Sequence, residues 1–396
     1  MANRPHAARE GAATTAHATA RPETDVPSVE VVEPAAGPSA GLTAGPRSDA
    51  DAVDALLATT LRRRGRTLTA LSPELAPMVA ALEAAGRGGK RLRATFCLLG
   101  ARSTAAGPAP GDVEVGAAVE MFHLAALVHD DLMDRSDTRR NEPTVHRRFS
   151  DSHHEAAGRG DSEHYGQAMA VLAGDLCLTW SDDLLATGAG RAEDPAHAAA
   201  VRESWSRMRD ETIAGQYLDV LGHTRDGVSP AYARRVLRYK AASYTVQQPL
   251  LLGARLAGAP DGLLAAYSEI GLAAGEAFQL RDDVLGVLGD PTLTGKPVLD
   301  DVREGKRTVL VALAGDAATS AQRRVLDAAL GDPELGAEGL GAVQEVLVAT
   351  GAVAQVEDRI TSLATRALTL TSALPVDVEH RERLAALIGL CAWRDA

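Results

Sequence analysis

LVHDDLMDRSDTRRNEPTVH, residues 127–146, ends an apolar run with carboxylates spaced one helical turn apart. The apolar residues Leu124 to Val128 predict a buried helix, and i, i+4 spacing puts Asp130 and Asp134 on one face of it. Two carboxylates stacked this way repel each other unless a cation lies between them. Mg²⁺ suits such a pair, because it takes hard oxygen ligands, keeps several waters and accepts substrate phosphates. Arg139 and Arg140 follow closely, ready for anionic oxygens that the metal does not take. Carboxylates and arginines together point to a diphosphate.

FQLRDDVLGVLGDPTLTGKPVLDDVREGKRT, residues 278–308, repeats the logic with less symmetry. Asp282 and Asp283 end an apolar helix, Ile270 to Leu280, and Asp290 follows; Lys296, Lys306 and Arg307 then lie on a Gly- and Pro-punctuated loop. Paired aspartates alone mean little in an acidic chain, since charged residues ordinarily decorate surfaces. Asp182–Asp183 and Asp300–Asp301 are DD pairs too. What distinguishes 130–134 and 282–283 is an apolar run before each and clustered basic residues after. Asp182–Asp183 has neither a carboxylate at i+4 nor basic neighbours, and is expected to be structural.

A third cluster, GGKRLR at 88–93, precedes an apolar helix from Ala94 to Leu99. Glycines let backbone approach a ligand closely and helix N-termini attract anions, with Lys90 and Arg93 adding charge. Beside two acidic metal sites, it suggests a second anionic substrate bound without metal.

GGKRLR, a His seven residues before DDxxD, RR, FQxxDD and GK…GKRT, in that order, resemble the trans-isoprenyl diphosphate synthases (polyprenyl synthetases), in particular the bacterial geranylgeranyl diphosphate synthases. The resemblance covers roughly residues 50–396. It implies that Asp130 and Asp134 coordinate Mg²⁺ on the allylic diphosphate, and that Asp282 holds a third Mg²⁺ with Asp283 in support. Arg139 is implied as an allylic-diphosphate contact, and Lys90, Arg93, His123 and Arg140 as the pocket for isopentenyl diphosphate. Lys240, Lys296 and Lys306 are implied as further diphosphate contacts, Lys240 also serving catalysis, with Gln279 nearby and Gln216 near the floor. Three departures stand out: Gly286 where many members have a third Asp, Ala241 where Thr is commoner, and Asn141 where Gly is. Loss of a carboxylate at 286 is expected to weaken or re-route the third metal, Asp290 contributing through water.

The resemblance implies ionisation of the allylic C–O bond, attack by the isopentenyl double bond, and proton loss to pyrophosphate. Anchoring both substrates by their diphosphates supplies proximity, and apolar walls must keep water from the carbocation. Ala125 and Ala126, one turn before the aspartates, leave room for farnesyl, with Phe122 a turn deeper as the next floor. Geranylgeranyl diphosphate (C20) is the expected main product, with a C25 product as the first alternative and farnesyl diphosphate as the second. A class I terpene cyclase would share the first aspartate motif but need neither GGKRLR nor the second Asp–Lys segment. A non-catalytic partner subunit would keep the fold and lose aspartates.

Composition fits an all-α enzyme, and the resemblance implies a single large helical bundle of the isoprenoid synthase type with a central apolar cavity. The chain has 396 residues, 3% aromatic, and abounds in Ala and Leu, which favours helix over strand. Helical patterns run over 53–65, 168–188 and 232–258, and Pro249 is expected to kink or end the last. A net charge of −12 argues against nucleic acid as a partner, and no segment has the uninterrupted apolar length of a membrane span. Cys97, Cys177 and Cys391 lack metal or redox spacing and suggest reduced thiols in cytoplasm. Residues 1–48, rich in Ala, Pro, Thr and Gly, read as a disordered tail before a catalytic domain at 49–396. Residues 151–165 read as an exposed loop and 313–342 as a linker. Four histidines (146, 153, 154 and 164) near the first of these lack the spacing of a zinc site. A homodimer is implied by the resemblance alone.

Overall fold

The computed structural model describes residues 46–104, 107–225, 227–289 and 298–394. The expectations for the N-terminal tail up to residue 45, for Asp290 and for Lys296 lie outside the described residues. Helices α1 (Pro46–Leu71), α2 (Ala76–Ala85), α3 (Leu92–Gly100) and α4 (Asp112–Met133) form the first part of the bundle. A two-residue hairpin, Thr138–Arg139 against Glu142–Pro143, leads to α5 (Val145–Glu155), α6 (Ser162–Ala189) and α7 (Pro195–His223). Next come α8 (Pro230–Val236), a π-helical stretch Leu237–Gln247, α9 (Gln248–Leu256) and the long α10 (Asp261–Leu288). The C-terminal helices are α11 (Asp300–Arg303), α12 (Val309–Ala317), α13 (Ser320–Ala329), α14 (Ala337–Ala349), α15 (Ala352–Ser372) and α16 (Val378–Ala392).

Helix starts follow local chemistry. The side chains of Asp161, Asp194 and Ser229 cap α6, α7 and α8 by accepting first-turn N–H groups, and Pro occupies the first turn of α7 and α8. Thr319 and Gln322 close a capping box on α13. That box and the Ala-rich α12 and α14 make 313–342 mostly helical rather than a linker. Residues 151–165 are likewise a helix–turn–helix junction: α5 runs to Glu155 and α6 starts at Ser162. Two of the four histidines there have local partners. His153 pairs with Ser162 at 2.9 Å and stacks on Tyr165, while His146 meets the Thr144 hydroxyl at 3.1 Å.

Pro249 does not end its helix. It occupies the first turn of α9, and the irregularity lies upstream, where the backbone widens into the π stretch. A proline offers no N–H and crowds the carbonyl one turn back, so the wider turn removes both problems. Glycines hold this stretch in place. A Cβ at Gly215 of α7 would strike the backbone nitrogen of Lys240, and one at Gly275 of α10 would strike the carbonyl of Ala242. Gly215→Ala should therefore cost about 1–3 kcal/mol in denaturant unfolding, because backbone must move; an unchanged midpoint would show slack there.

Two apolar cores flank the π stretch. One joins α10 to the C-terminal helices and the other joins α4, α6 and α7. Cys97, Cys177 and Cys391 are free and buried within them, their thiols pushed up by burial. Asp182 accepts from Trp205 and Arg209, and Asp183 pairs with Arg64, so this DD pair is structural. Among the described residues no single helix is long and apolar enough to cross a membrane.

Candidate active site

The C-terminal end of α4, the π stretch, α10 and the α11–α12 connection enclose a cavity of about 620 Å³. Lys90, Arg93, His123, Asp130, Arg139, Arg140, Lys240, Gln279, Asp282 and Lys306 all line it. Segments far apart in sequence thus converge as expected. Asp134 is the exception: it lies just beneath, its carboxylate almost wholly buried and 3.5 Å from the Lys306 ammonium.

The carboxylates are unequal. Burial opposes ionisation of Asp130, but the ammonium groups of Lys240 and Lys306 overcome it and hold this carboxyl well below the usual range. Asp130 Oδ1 accepts from Lys240 Nζ at 2.9 Å and from Gln216 Nε2 at 3.0 Å. Burial and the charge of Asp130 push Asp134 up to about 7. In the second segment burial pushes Asp283 up to about 8, against a hydrogen bond from Gln279 at 3.0 Å. Its neighbour Asp282 forms an ion pair with Arg394, whose guanidinium lies 3.8 Å over the Phe278 ring.

The cationic end is built differently. Gly88 and Gly89 have φ of 73° and 99°, where a side chain would strain, and a Cβ at Gly89 would come within 2.9 Å of Arg140 Nη2. Burial and the charges of Arg91 and Arg139 depress the Arg140 guanidinium, a crowding that a bound anion would relieve. Burial, then Arg93, Arg139 and Arg140, drive His123 well below its ordinary value. A neutral His123 meets the Tyr244 hydroxyl at 3.2 Å and offers a hydrogen bond rather than a charge. Arg93 donates to Tyr244 and Thr245 at 2.9 Å, and Arg139 Nε is forked onto Asp131 at 2.7 and 2.9 Å.

Several residues join the site that sequence reasoning gave no role. Asp131 orients Arg139. Asp219 holds Lys240 at 2.6 Å, and Glu304 holds Lys306 at 2.6 Å while accepting from Ser136. Asp301 meets Lys306 at 3.0 Å. The i, i+3 spacing of Gln216 and Asp219 on one helix face was a readable signal; the ends of Asp301 and Arg394 depend on chain crossings and gave none.

Of the three residues named for chain length, none lines the cavity. Ala125 is fully buried and Ala126 half-buried, whereas Leu127 faces the cavity. At about 100° per residue, Ala126 lies roughly 60° and Ala125 roughly 160° around the helix from His123, which turns Ala125 into the core. Phe122 stands edge-on to Tyr244 and Trp205, with centroids at 6.3 and 5.7 Å, so it backs the cavity wall formed by Tyr244.

Among the described residues no three acidic, His or Cys side chains converge into a closed metal cage. Asp130, Asp282 and Asp283 border open space, with Asp134 buried behind the first of them, which fits Mg²⁺, an ion bound by one or two carboxylates with water and phosphate completing its shell. Asp130 with Asp134, and Asp282 with Asp283, are the residues that could hold it.

A family model for polyprenyl synthetases matches residues 77–346. The geranylfarnesyl diphosphate synthase of Aeropyrum pernix is 33% identical over 311 residues, covering 78% of this chain and 91% of its own. The geranylgeranyl diphosphate synthase of Sulfolobus acidocaldarius is 31% identical, over 66% of this chain and 73% of its own. A crystal structure of geranylgeranyl pyrophosphate synthase from Corynebacterium glutamicum, complexed with isoprenyl diphosphate and magnesium, superposes with a TM-score of 0.83 at 35% identity, covering 88% of this chain and 99% of that one. Helical architecture, motif order and these likenesses agree: the chain belongs to the polyprenyl synthetase family and is an isoprenyl diphosphate synthase.

Proposed function

We propose that the enzyme is Mg²⁺-dependent and condenses isopentenyl diphosphate with an allylic diphosphate, with geranylgeranyl diphosphate (C20) as main product. The observation that carries this is the opening of both aspartate segments and both cationic clusters onto one cavity. Lys240, Lys306 and Arg139 orient the allylic diphosphate and stabilise the charge that grows as its C–O bond breaks. Mg²⁺, when bound, would neutralise the same diphosphate oxygens. Lys90, Arg93, Arg140 and a neutral His123 hold the second diphosphate, so that the isopentenyl double bond lies against the allylic cation. The double-bond electrons form the new C–C bond, and the departing pyrophosphate takes the proton whose loss makes the product alkene. Leu127, Tyr244 and Phe278 keep water from the cation.

The C20 length is supported by relatives named for geranylgeranyl products; Ala125, turned into the core, has no part in it, and Ala126 acts only from beside the cavity-facing Leu127. A growing chain is directed toward Phe122, Tyr244 and Trp205. Ala126→Phe should shorten the product and Phe122→Ala lengthen it, as read by mass spectrometry of the dephosphorylated alcohols. An unchanged distribution in both would remove this wall as the ruler. A cytoplasmic homodimer is the assembly we propose, and half-exposed Val171 and Leu172 on α6 offer apolar surface for it. The residues ahead of α1 are proposed to be a dispensable tail before the catalytic domain, whose first helix starts at Pro46 and not after the expected boundary at 48.

Metal dependence is testable without turnover. Asp134 must give up its proton to bind a cation, and its carboxyl titrates near 7. Mg²⁺ affinity, titrated calorimetrically with pyrophosphate present, should fall about tenfold more between pH 8 and pH 6 in the parent than in Asp134→Asn, since protonation of pyrophosphate acts equally on both. Equal pH dependences would argue that Asp134 is no ligand, and elongation undiminished by chelation would refute the metal altogether.

A further inference from the structure

We infer that the basic outer side of α8 and the π stretch docks the enzyme on an anionic phospholipid surface. Residues 227–260 carry five basic side chains and no Asp or Glu, in a chain of net charge −12. The helix divides that charge between two faces. Ala233, Val236, Leu237 and Lys240 line the cavity of the candidate active site, while Arg234, Arg235 and Arg238 are exposed outside it. None of these three arginines forms an ion pair among the described residues. Arg235 lies 5.7 Å from the Tyr232 ring and Arg238 lies 5.8 Å from the Tyr239 ring, so aromatic faces rather than carboxylates hold them.

A groove of about 470 Å³ opens beside Arg238, between α7, the π stretch, α9 and the start of α10. Arg207, Arg238 and Arg255 line it with the hydroxyls of Ser204 and Ser268, a donor set that suits a phosphate. Arg255 is half-buried, and its Nε has no hydrogen-bond partner among the described residues, a donor that an anion would satisfy. Two carboxylates share the lining. Glu211 is engaged by the Ser243 hydroxyl at 2.9 Å, and Asp261 forms no ion pair with the three arginines. The basic face continues past the groove onto Arg234 and Arg235, which favours an extended anionic surface over a small soluble anion. Each arginine near an anionic leaflet strengthens binding by roughly fivefold. Docking would also serve the product, since a prenyl diphosphate has an apolar tail and the cavity lies one helix behind this face.

The test is sedimentation of the purified full chain with vesicles of phosphatidylcholine, with and without phosphatidylglycerol. Binding should require phosphatidylglycerol and weaken as salt rises. Arg234→Gln/Arg235→Gln/Arg238→Gln should weaken it by about 100-fold, and Arg255→Gln alone by about fivefold. Elongation in solution and the denaturant midpoint of the triple variant should match the parent, because its three sites are exposed. Arg62→Gln/Arg63→Gln/Arg66→Gln neutralises three exposed arginines of α1 and should leave vesicle binding at the parental level. Equal losses in the two triple variants would overturn the docking face in favour of bulk charge. A parent indifferent to phosphatidylglycerol would overturn it outright. Inorganic phosphate binding that disappears in Arg255→Gln, without vesicle binding, would give the groove to a soluble anion instead. No substrate or metal enters the vesicle assay, so its failure leaves the proposed reaction standing.

Discussion

Asp130→Asn should lower elongation turnover by about 10²–10³-fold, the cost of removing one preorganised electrostatic contact to a reacting group, while unfolding at nearly the parental midpoint. The asymmetry comes from its surroundings. Asp130 accepts from Lys240 at 2.9 Å and Gln216 at 3.0 Å, and Asn keeps an oxygen for one of them. Lys240 retains the Asp219 carboxylate at 2.6 Å, so its ammonium is not left buried without a counter-charge. What disappears is the negative charge facing the cavity, and with it the half of the first carboxylate pair that reaches substrate. Steady-state kinetics with denaturant melts separates the two effects. Turnover within a few-fold of the parent would mean that Asp130 is a structural partner of Lys240.

Lys306→Met reverses that balance, with stability falling along with turnover. The ammonium stands 3.5 Å from Asp134, 3.0 Å from Asp301 and 2.6 Å from Glu304, and ties both aspartate segments to one point. Burial works against its charge, but those carboxylates hold it well above the ordinary lysine range. Methionine fills a similar volume and leaves the carboxylates facing each other. Removing one partner from a buried charge network costs about 3–5 kcal/mol, which urea unfolding would register directly. Mg²⁺ with pyrophosphate should recover part of that loss, because ligands that bind only the folded chain stabilise it by mass action. A variant as stable as the parent would show that the carboxylates protonate or turn to solvent without strain.

Much of the site was legible because it is written along single helices. The aspartates at 130 and 134, the apolar run before them and GGKRLR at the start of α3 each obey a local rule, and only Asp134, at the cap of α4 and buried behind Asp130, departs from its expected place. What was missed depends on packing between segments. Asp300–Asp301 looked like one more surface pair, and only the return of the chain past Gly286 brings Asp301 into the cavity. Arg394 reaches Asp282 because α16 packs back toward α10. The π stretch is invisible to a 3.6-residue period, since its cause is a proline downstream and glycines on two neighbouring helices. Ala125 and Ala126 show the limit within a helix: adjacency in sequence hid the turn that sends one into the core.

The most direct measurement is the product formed when the purified enzyme, Mg²⁺ and isopentenyl diphosphate meet dimethylallyl, geranyl or farnesyl diphosphate separately, read by mass spectrometry after dephosphorylation. Accumulation of the C20 alcohol from every accepted primer is the predicted result. Pyrophosphate release with a cyclic hydrocarbon and no elongation, or no reaction with any primer, would contradict it.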